Sequence, residues 1–531
     1  MKRLQFLFVY LKILIQLIYR FLTKGISSLS VARIIALSFL FAIFFGSILL
    51  YLVELHNPTK PLSYTDALYM STSAFCVTGL AVVPLSSFTL SGQICILLFI
   101  KLGGLGIIIF TVLAGMLLIK GISRNTKLNS FLTEFLDDNK NTKSPEVSKY
   151  GGSGVFRAII SIFQVSIIIE LIGALFLYFS LPDSQDIEKY NRFFLSLFTS
   201  ISAFNNAGFS LTDNLNFLRS ESFPLFVVSV LIILGGIGFP VVILIEKIFL
   251  ETMKNLMYKL EAYFENSMMR RALSGKDPKF FHVWVIRLSY YFEERFMLYN
   301  QGIRGESNLV QSKIILYGTF GLIVFGTLFV LFLEYDSALQ GLTNLDKFMN
   351  AFFLSVSSRT AGFSTFDLAT LKHSSIVLIC LLMFVGGGPQ GTAGGIKITT
   401  FAILLQYLKN VISTSQSVHI FGETISKRSV AMSIRLYFLA TTFLASMGFI
   451  LTVFHENKEM HYIFFEMISA FCTVGFSLNF TEEINQLEKL VYSGLMYFGR
   501  IGILTTLVAI TGFEGTTQLG EIDDDVKLQI G

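Results

Sequence analysis

Charge is scarce in this chain. Only 15% of its 531 residues are Asp, Glu, Lys or Arg, against about a quarter in soluble domains. That shortfall excludes a row of ordinary soluble domains. Proline is held to 9 residues and tryptophan to one, Trp284, so few breakers interrupt long helices. The four cysteines, Cys76, Cys95, Cys380 and Cys472, lie in apolar segments without C-x-x-C spacing, which argues against a disulfide framework or a thiolate metal site. The six histidines, His56, His282, His373, His419, His455 and His461, show no ligand spacing. No catalytic constellation appears, so an enzyme is not expected. The net charge of +5 is too mild to suggest nucleic acid.

What is present is apolar: 53% of residues, including 55 phenylalanines. A bilayer core of ~30 Å takes about 20 apolar residues of helix. Long apolar segments occur at 31–53, 93–119, 155–181, 223–250, 312–333, 374–407, 431–454 and 489–511. The fold class is therefore an all-α integral membrane protein with eight spanning helices. Residues 1–30 begin like a signal peptide, but Lys12 and Arg20 interrupt the apolar run and no small-residue cleavage site follows. They read as a retained amphipathic helix at the inner membrane surface; a first spanning helix is the competing reading.

An internal repeat organises the rest. A short mixed segment precedes Val77-Thr78-Gly79, and the same order recurs at Asn206-Ala207-Gly208, Thr360-Ala361-Gly362 and Thr473-Val474-Gly475. The glycines stand 129, 154 and 113 residues apart, and each is followed by Leu or Phe. The first and last copies read SAFCVTGL and SAFCTVGF; the second begins SAFNNAGF. The expected organisation is repeat 1 over 31–119, a loop over 120–154, repeat 2 over 155–250, a loop over 251–311, repeat 3 over 312–407, a loop over 408–430, repeat 4 over 431–512 and a tail over 513–531. Lys and Arg crowd the segments before residue 31 and after residues 119, 250 and 407. The excess of cations puts those loops and both termini in the cytoplasm.

A half-spanning helix followed by irregular backbone is tolerated in a membrane only where it lines a water-filled path. Four such elements imply one central axis, four helix C-termini favouring a cation, and glycines that let carbonyls turn inward and replace the K+ hydration shell. Ordinary helix packing explains any single copy as well, but not four in equivalent places. The third repeat carries a second irregular stretch over 385–397: Gly386, Gly387, Gly388, Pro389, Gln390, Gly391, Thr392, Ala393, Gly394 and Gly395, ending Ile396-Lys397. Glycine and proline at this density cannot be regular helix. Ile396 between Gly395 and Lys397 breaks the phosphate-loop register. Arg500 falls near the middle of an apolar segment, where a charge is a functional candidate. It is expected to donate to carbonyls of the 386–395 loop; a structural ion pair with a nearby acid is the alternative. Arg359 precedes the third glycine turn, to orient it or to repel cations. Lys101, Glu170 and Glu466 are candidates for buried charges, Lys101 for a buried pair.

These four repeats resemble the TrkH/KtrB/HKT superfamily of potassium translocation proteins over residues 31–512, and the KtrB-like branch in particular. KLGGLGI (101–107), ILGGIGFP (233–240), SSRTAGFST (357–365), VGGGPQGTAGGIK (385–397) and FGRIGILT (498–505) complete the resemblance. It implies four helix, pore-loop, helix units around one pore, with a selectivity filter for K+ at the twelve residues of the four glycine triplets. It further implies a gate made by the 386–395 loop and Arg500. Members with Ser in the first filter position tend to admit Na+, so Gly79 points to K+. Lys101 departs from the family, which usually has a neutral polar residue there. The resemblance also implies a homodimer in the lipid of the cytoplasmic membrane and a cytosolic nucleotide-binding ring as regulator, with no nucleic acid. K+ is the substrate ion, Na+ a candidate coupling or activating ion, and no covalent cofactor is expected. The rival class is a solute- or cation-coupled secondary transporter with broken helices, which would show inverted repeats around a solute cavity.

Overall fold

The computed structural model describes residues 31–57, 61–119, 147–183, 189–212, 214–238, 241–242, 244–245, 248–249, 251–260, 306–389, 391–413, 417–454, 459–503 and 505–507. Over 31, 105–119, 147–161 and 306–308 it describes backbone only. The expected helix over 1–30, the loop segments 120–146 and 261–305, Gln390 and the tail from 508 lie outside the described residues.

One pattern is built four times. A long helix is followed by a short helix, an irregular turn, one turn of 3-10 helix and an inner helix. In chain order these are α1 (Val31–Glu54), α2 (Tyr64–Cys76) and α3 (Leu90–Ile119); α4 (Val147–Ser180), α5 (Arg192–Phe204) and α6 (Ser222–Gly236); α7 (Glu306–Glu334), α8 (Asn344–Ser357), α9 (His373–Phe384) and α10 (Ile398–Ser413); and α11 (Lys427–Phe454), α12 (Met460–Phe471) and α13 (Gln486–Ile501). In the third copy the inner segment is split into α9 and α10 by the glycine-rich stretch. A two-residue hairpin, β1 (His419–Ile420) with β2 (Glu423–Thr424), precedes α11.

Among the described residues four helices are long and apolar enough to cross a membrane: Ala32–Glu54, Ile162–Ser180, Leu309–Glu334 and Lys427–Phe454. Their outward faces carry exposed apolar side chains, among them Phe41, Phe179, Phe332 and Phe449. Apolar patches of this extent mark a surface that is covered. The short helices have 12 to 14 residues, or roughly 20 Å at 1.5 Å per residue, too short to cross. Side chains fix where three of them begin. Ser63 accepts from Asp66 N at 3.1 Å, Asn191 from Phe193 N at 2.9 Å, and Thr343 from Asp346 N at 3.2 Å, each satisfying an orphan donor of the first turn.

The packing is cyclic. Each short helix packs against the inner helix of the preceding copy: α5 on α3, α8 on α6, α12 on α9, and α2 on α13, which closes the ring. Polar ties follow the same order. Lys489 of α13 pairs with Asp66 of α2 at 2.7 Å, and Ser222 of α6 donates to Asp346 of α8 at 2.8 Å.

Copies one and three also share a brace. The last residue of α1, Glu54, is buried and accepts from Thr89 N at 3.1 Å, beside the start of α3. The last residue of α7, Glu334, is buried and accepts from Lys372 N at 3.0 Å, Ala338 N at 3.3 Å and the Ser375 hydroxyl. Each carboxylate joins a long helix to the N-terminus of its inner helix, where negative charge is favoured. Glu334→Ala should therefore lose roughly 1–3 kcal/mol by leaving buried donors unpaired, and Glu334→Gln should lose less. Thermal unfolding in detergent reads this; an alanine variant that melts with the parent removes the brace from the account.

Candidate functional site

All four short helices stop in the same way. The residue two before each glycine is left-handed: Val77 (φ 56°), Asn206 (56°), Thr360 (77°) and Thr473 (50°). The glycines are also at positive φ: Gly79 (95°), Gly208 (70°), Gly362 (72°) and Gly475 (96°). The residues between them, Thr78, Ala207, Ala361 and Val474, are not among the positive-φ residues. In a strand successive side chains and carbonyls alternate in direction. Alternating the hand of the backbone instead turns successive carbonyls to one side. Left-handed φ at a non-glycine residue costs about 1–2 kcal/mol, and at β-branched Val77 it is an outlier.

Hydrogen bonds hold these turns. Thr78 N, Ala207 N and Val474 N donate to the carbonyls of Ser73, Ser202 and Ser469, each at 2.8 Å, and Gly362 N donates to Ser357 O at 3.2 Å. The same serines act again through their hydroxyls. Ser73 and Ser469 accept from Gly79 N and Gly475 N at 3.1 Å. Ser202 and Ser357 donate to the carbonyls of Phe209 and Phe363, at 2.7 and 2.6 Å.

The four turns meet in a closed ring. A side chain on Gly79 would strike the carbonyl of Ala207, one on Gly208 that of Ala361, one on Gly362 that of Val474, and one on Gly475 that of Thr78. Each glycine thus faces the residue before the next copy's glycine, and the fourth faces the first. All twelve residues of the glycine triplets come together here. A second set of glycines brings the inner helices up to the ring. Gly103, Gly235 and Gly499 lie against the carbonyls of Phe75, Phe204 and Phe471, where a methyl group would collide.

The 385–397 stretch leaves α9 at Val385 and returns beside it at Ile396, with Gly386 N donating to Ile396 O at 2.9 Å. On one side it is bound to copy two, where Gly388 N donates to Gly236 O at 2.8 Å. On the other it abuts copy four, where Gly394 lies against Thr473 Oγ1 and Gly395 against Cys472. Pro389 O and Gly391 approach Gly238 (φ 85°). Gly387 packs on Gly236 O and Ala393.

Three cations grip the carbonyls of this loop. Arg359 Nη2 donates to Gly386 O at 2.9 Å, Lys397 Nζ to Ala393 O at 2.5 Å, and Arg500 Nη1 to Thr392 O. Arg500 Nη2 donates in addition to Gly103 O at 2.6 Å. Copies one and three are opposite each other in the ring, so one guanidinium touching Gly103 and Thr392 draws the loop across beneath it. Both arginines are buried at 6% exposure, and each has an Nε without a partner. Among the described residues no carboxylate stands within ion-pair distance of Arg359, Lys397 or Arg500, which disfavours the structural ion pair. Arg500 also sits differently from its sequence expectation. It lies in the last turn of α13, not in mid-helix, because Gly502 (φ 93°) ends that helix.

The expected buried acids are buried. Glu170 pairs with Lys101 at 2.6 Å. Glu466 has no exposed surface and accepts from the Thr481 hydroxyl. The serines at the turns and the grip of Lys397 are not visible from glycine spacing. The recurrent Ser-Ala-Phe before three of the four turns carries the first signal, and nothing local to Lys397 carries the second. Among the described residues no group of three His, Cys, Asp or Glu could hold a metal ion.

The chain matches a family model described as TrkH, cation transport protein, over residues 17–274 and 286–513. It is 32% identical over 477 residues to Ktr system potassium uptake protein B of Bacillus subtilis, covering 89% of this chain and 91% of that one. It is 30% identical to the potassium/sodium uptake protein NtpJ of Enterococcus hirae, covering 91% and 93%. The fold matches the crystal structure of the potassium transporter TrkH from Vibrio parahaemolyticus at a TM-score of 0.57 and 16% identity, over 89% of this chain and 84% of that one. A ring of four glycine turns in an apolar helical frame thus stands in a chain that belongs to the TrkH family of cation transport proteins.

Proposed function

We propose that this protein takes up K+ across the cytoplasmic membrane, with the ring of glycine turns as its selectivity filter. The observation that carries this reading is the closed ring itself. Four strained turns with one handedness pattern meet where four short helices end. Helix C-termini carry partial negative charge, and carbonyls turned to one side can replace a hydration shell. Thr78 and Thr473 add buried hydroxyl oxygens that have no hydrogen-bond partner. The names of the relatives agree: uptake of potassium for the Bacillus protein, and of potassium or sodium for the Enterococcus protein.

The 386–395 loop and Arg500 form the gate in this reading. The loop lies across the ring's inner side, held by three cations with no acid paired to them among the described residues. Positive charge there opposes an entering cation until the loop moves. The Lys- and Arg-rich loops support a reading with this side, and both termini, in the cytoplasm. A regulator that acts on the gate would be a cytosolic nucleotide-binding ring, and the protein would work as a homodimer in lipid. Na+ remains a candidate coupling or activating ion.

At Gly79 a serine would push a side chain against Ala207 O and adopt an unfavourable φ. Gly79→Ser should lower the preference for K+ over Na+ by about tenfold or more, about 1.4 kcal/mol per decade. The measurement is inhibition of rubidium uptake by Na+ in vesicles; an unchanged preference in well-folded protein would falsify the filter assignment.

For Arg500, two unit charges 4 Å apart at an effective dielectric of 20 interact by about 4 kcal/mol, a ceiling that water in the path lowers. Arg500→Ala should raise K+ flux by roughly tenfold, a fraction of that ceiling. Arg500→Lys should fall between alanine and parent, since it keeps the charge and loses the planar fork. Flux at matched protein levels decides: an alanine variant that folds and conducts no faster makes Arg500 purely structural.

A further inference from the structure

Lys101 is the least expected charge in the frame, and its surroundings give it a use. It lies on α3 of copy one. Its Nζ donates to Glu170 Oε1 at 2.6 Å and to Ser166 Oγ at 2.9 Å, both on α4 of copy two. Phe163 of α4 covers the ammonium, 5.6 Å from the ring centre. The same Glu170 Oε1 accepts from Asn205 Nδ2 at 2.9 Å. Asn205 has no exposed surface and is the last residue before the second glycine turn, Asn206-Ala207-Gly208. Its Nδ2 also holds Ile201 O at 2.8 Å, and its Oδ1 side lies against Gly104 of α3. One carboxylate oxygen therefore ties together the inner helix of copy one, the long helix of copy two and the base of one filter turn.

Among the described residues the other copies lack this arrangement. The residues equivalent to Asn205 are Cys76, Arg359 and Cys472. Both cysteines are free thiols, and Arg359 reaches the gate loop instead. Among the described residues, only in copy two does a charge pair set the position of the residue that opens the turn. A buried pair also gives direction: its two charges must stay together, so α3 and α4 cannot shift apart without stranding one of them.

We propose that Lys101 and Glu170 are positioning residues for the second filter turn, acting through Asn205, and that they help to set the discrimination of K+ from Na+. This rests on the reading of the glycine ring as the filter. Carbonyl rings discriminate by the number and placement of oxygens around the ion, so a turn released at its base should admit Na+ more easily while K+ still passes.

The test compares two paired replacements in the full-length protein in liposomes, with rubidium uptake competed by K+ or Na+. Lys101→Gln with Glu170→Gln removes both charges and keeps an acceptor for Asn205. Lys101→Met with Glu170→Met removes both charges and the acceptor. The Met pair should lose preference for K+ over Na+ by about fivefold, about 1 kcal/mol, and the Gln pair should recover most of it. Asn205→Ala, with both charges in place, should lose preference as the Met pair does, and it stands in if the Met pair fails to fold. A folded Met pair or Asn205→Ala with parental discrimination overturns the proposal, as does an equal loss of flux for both ions. If Gly79→Ser alters discrimination and these variants do not, the positioning claim fails alone; if Gly79→Ser does not either, the filter reading fails.

Discussion

Each short helix stops inside the apolar frame, and stopping there leaves its last carbonyls without intrahelical partners. In water such ends are cheap. In a membrane interior an unsatisfied backbone group costs several kcal/mol, so the ends must face one another, a polar path, or donors supplied by the protein. This chain brings the ends together and supplies donors. The serines at 73, 202, 357 and 469 serve part of the backbone. The remaining carbonyls are gathered into one ring by turns that only glycine makes without strain. The cyclic packing, the glycines on the inner helices and the two buried glutamates all serve to bring four helix ends to one place.

The third copy obeys the same constraint twice. Its inner segment is also broken, and the break exposes a further run of carbonyls. Arg359, Lys397 and Arg500 supply donors to Gly386, Ala393 and Thr392. Buried cations without acids are costly on their own, but here each is spent on backbone oxygens that would otherwise be unpaired. In the proposed reading the same grip leaves positive charge beside the cation path. In that reading, structural satisfaction and opposition to ion flow come from the same three side chains.

Much of this is legible in the sequence because the constraint leaves local marks. Glycine at a fixed place after an amphipathic segment marks each turn, and the fourfold recurrence marks the frame. The glycine density of 386–395 marks the second break. What resists sequence reading is non-local. Asn206 and Thr360 are in register with Val77 and Thr473 in handedness, yet no residue type demands it there; the helix end imposes it. Lys101 looks anomalous until Glu170, on the next copy, is seen at 2.6 Å. Arg500 seems to sit mid-segment because Gly502 does not by itself announce a helix end. For Lys101 the partner lies in another repeat, and spacing along one segment says nothing of it.

The central claim is that a cation passes through the ring formed at Gly79, Gly208, Gly362 and Gly475. Anomalous diffraction from crystals grown in rubidium tests it most directly. The account predicts a rubidium peak on the axis of the ring, among the carbonyls of Thr78, Ala207, Ala361 and Val474, that sodium does not displace and potassium does. A ring without rubidium, with the ion bound elsewhere between the helices, contradicts it.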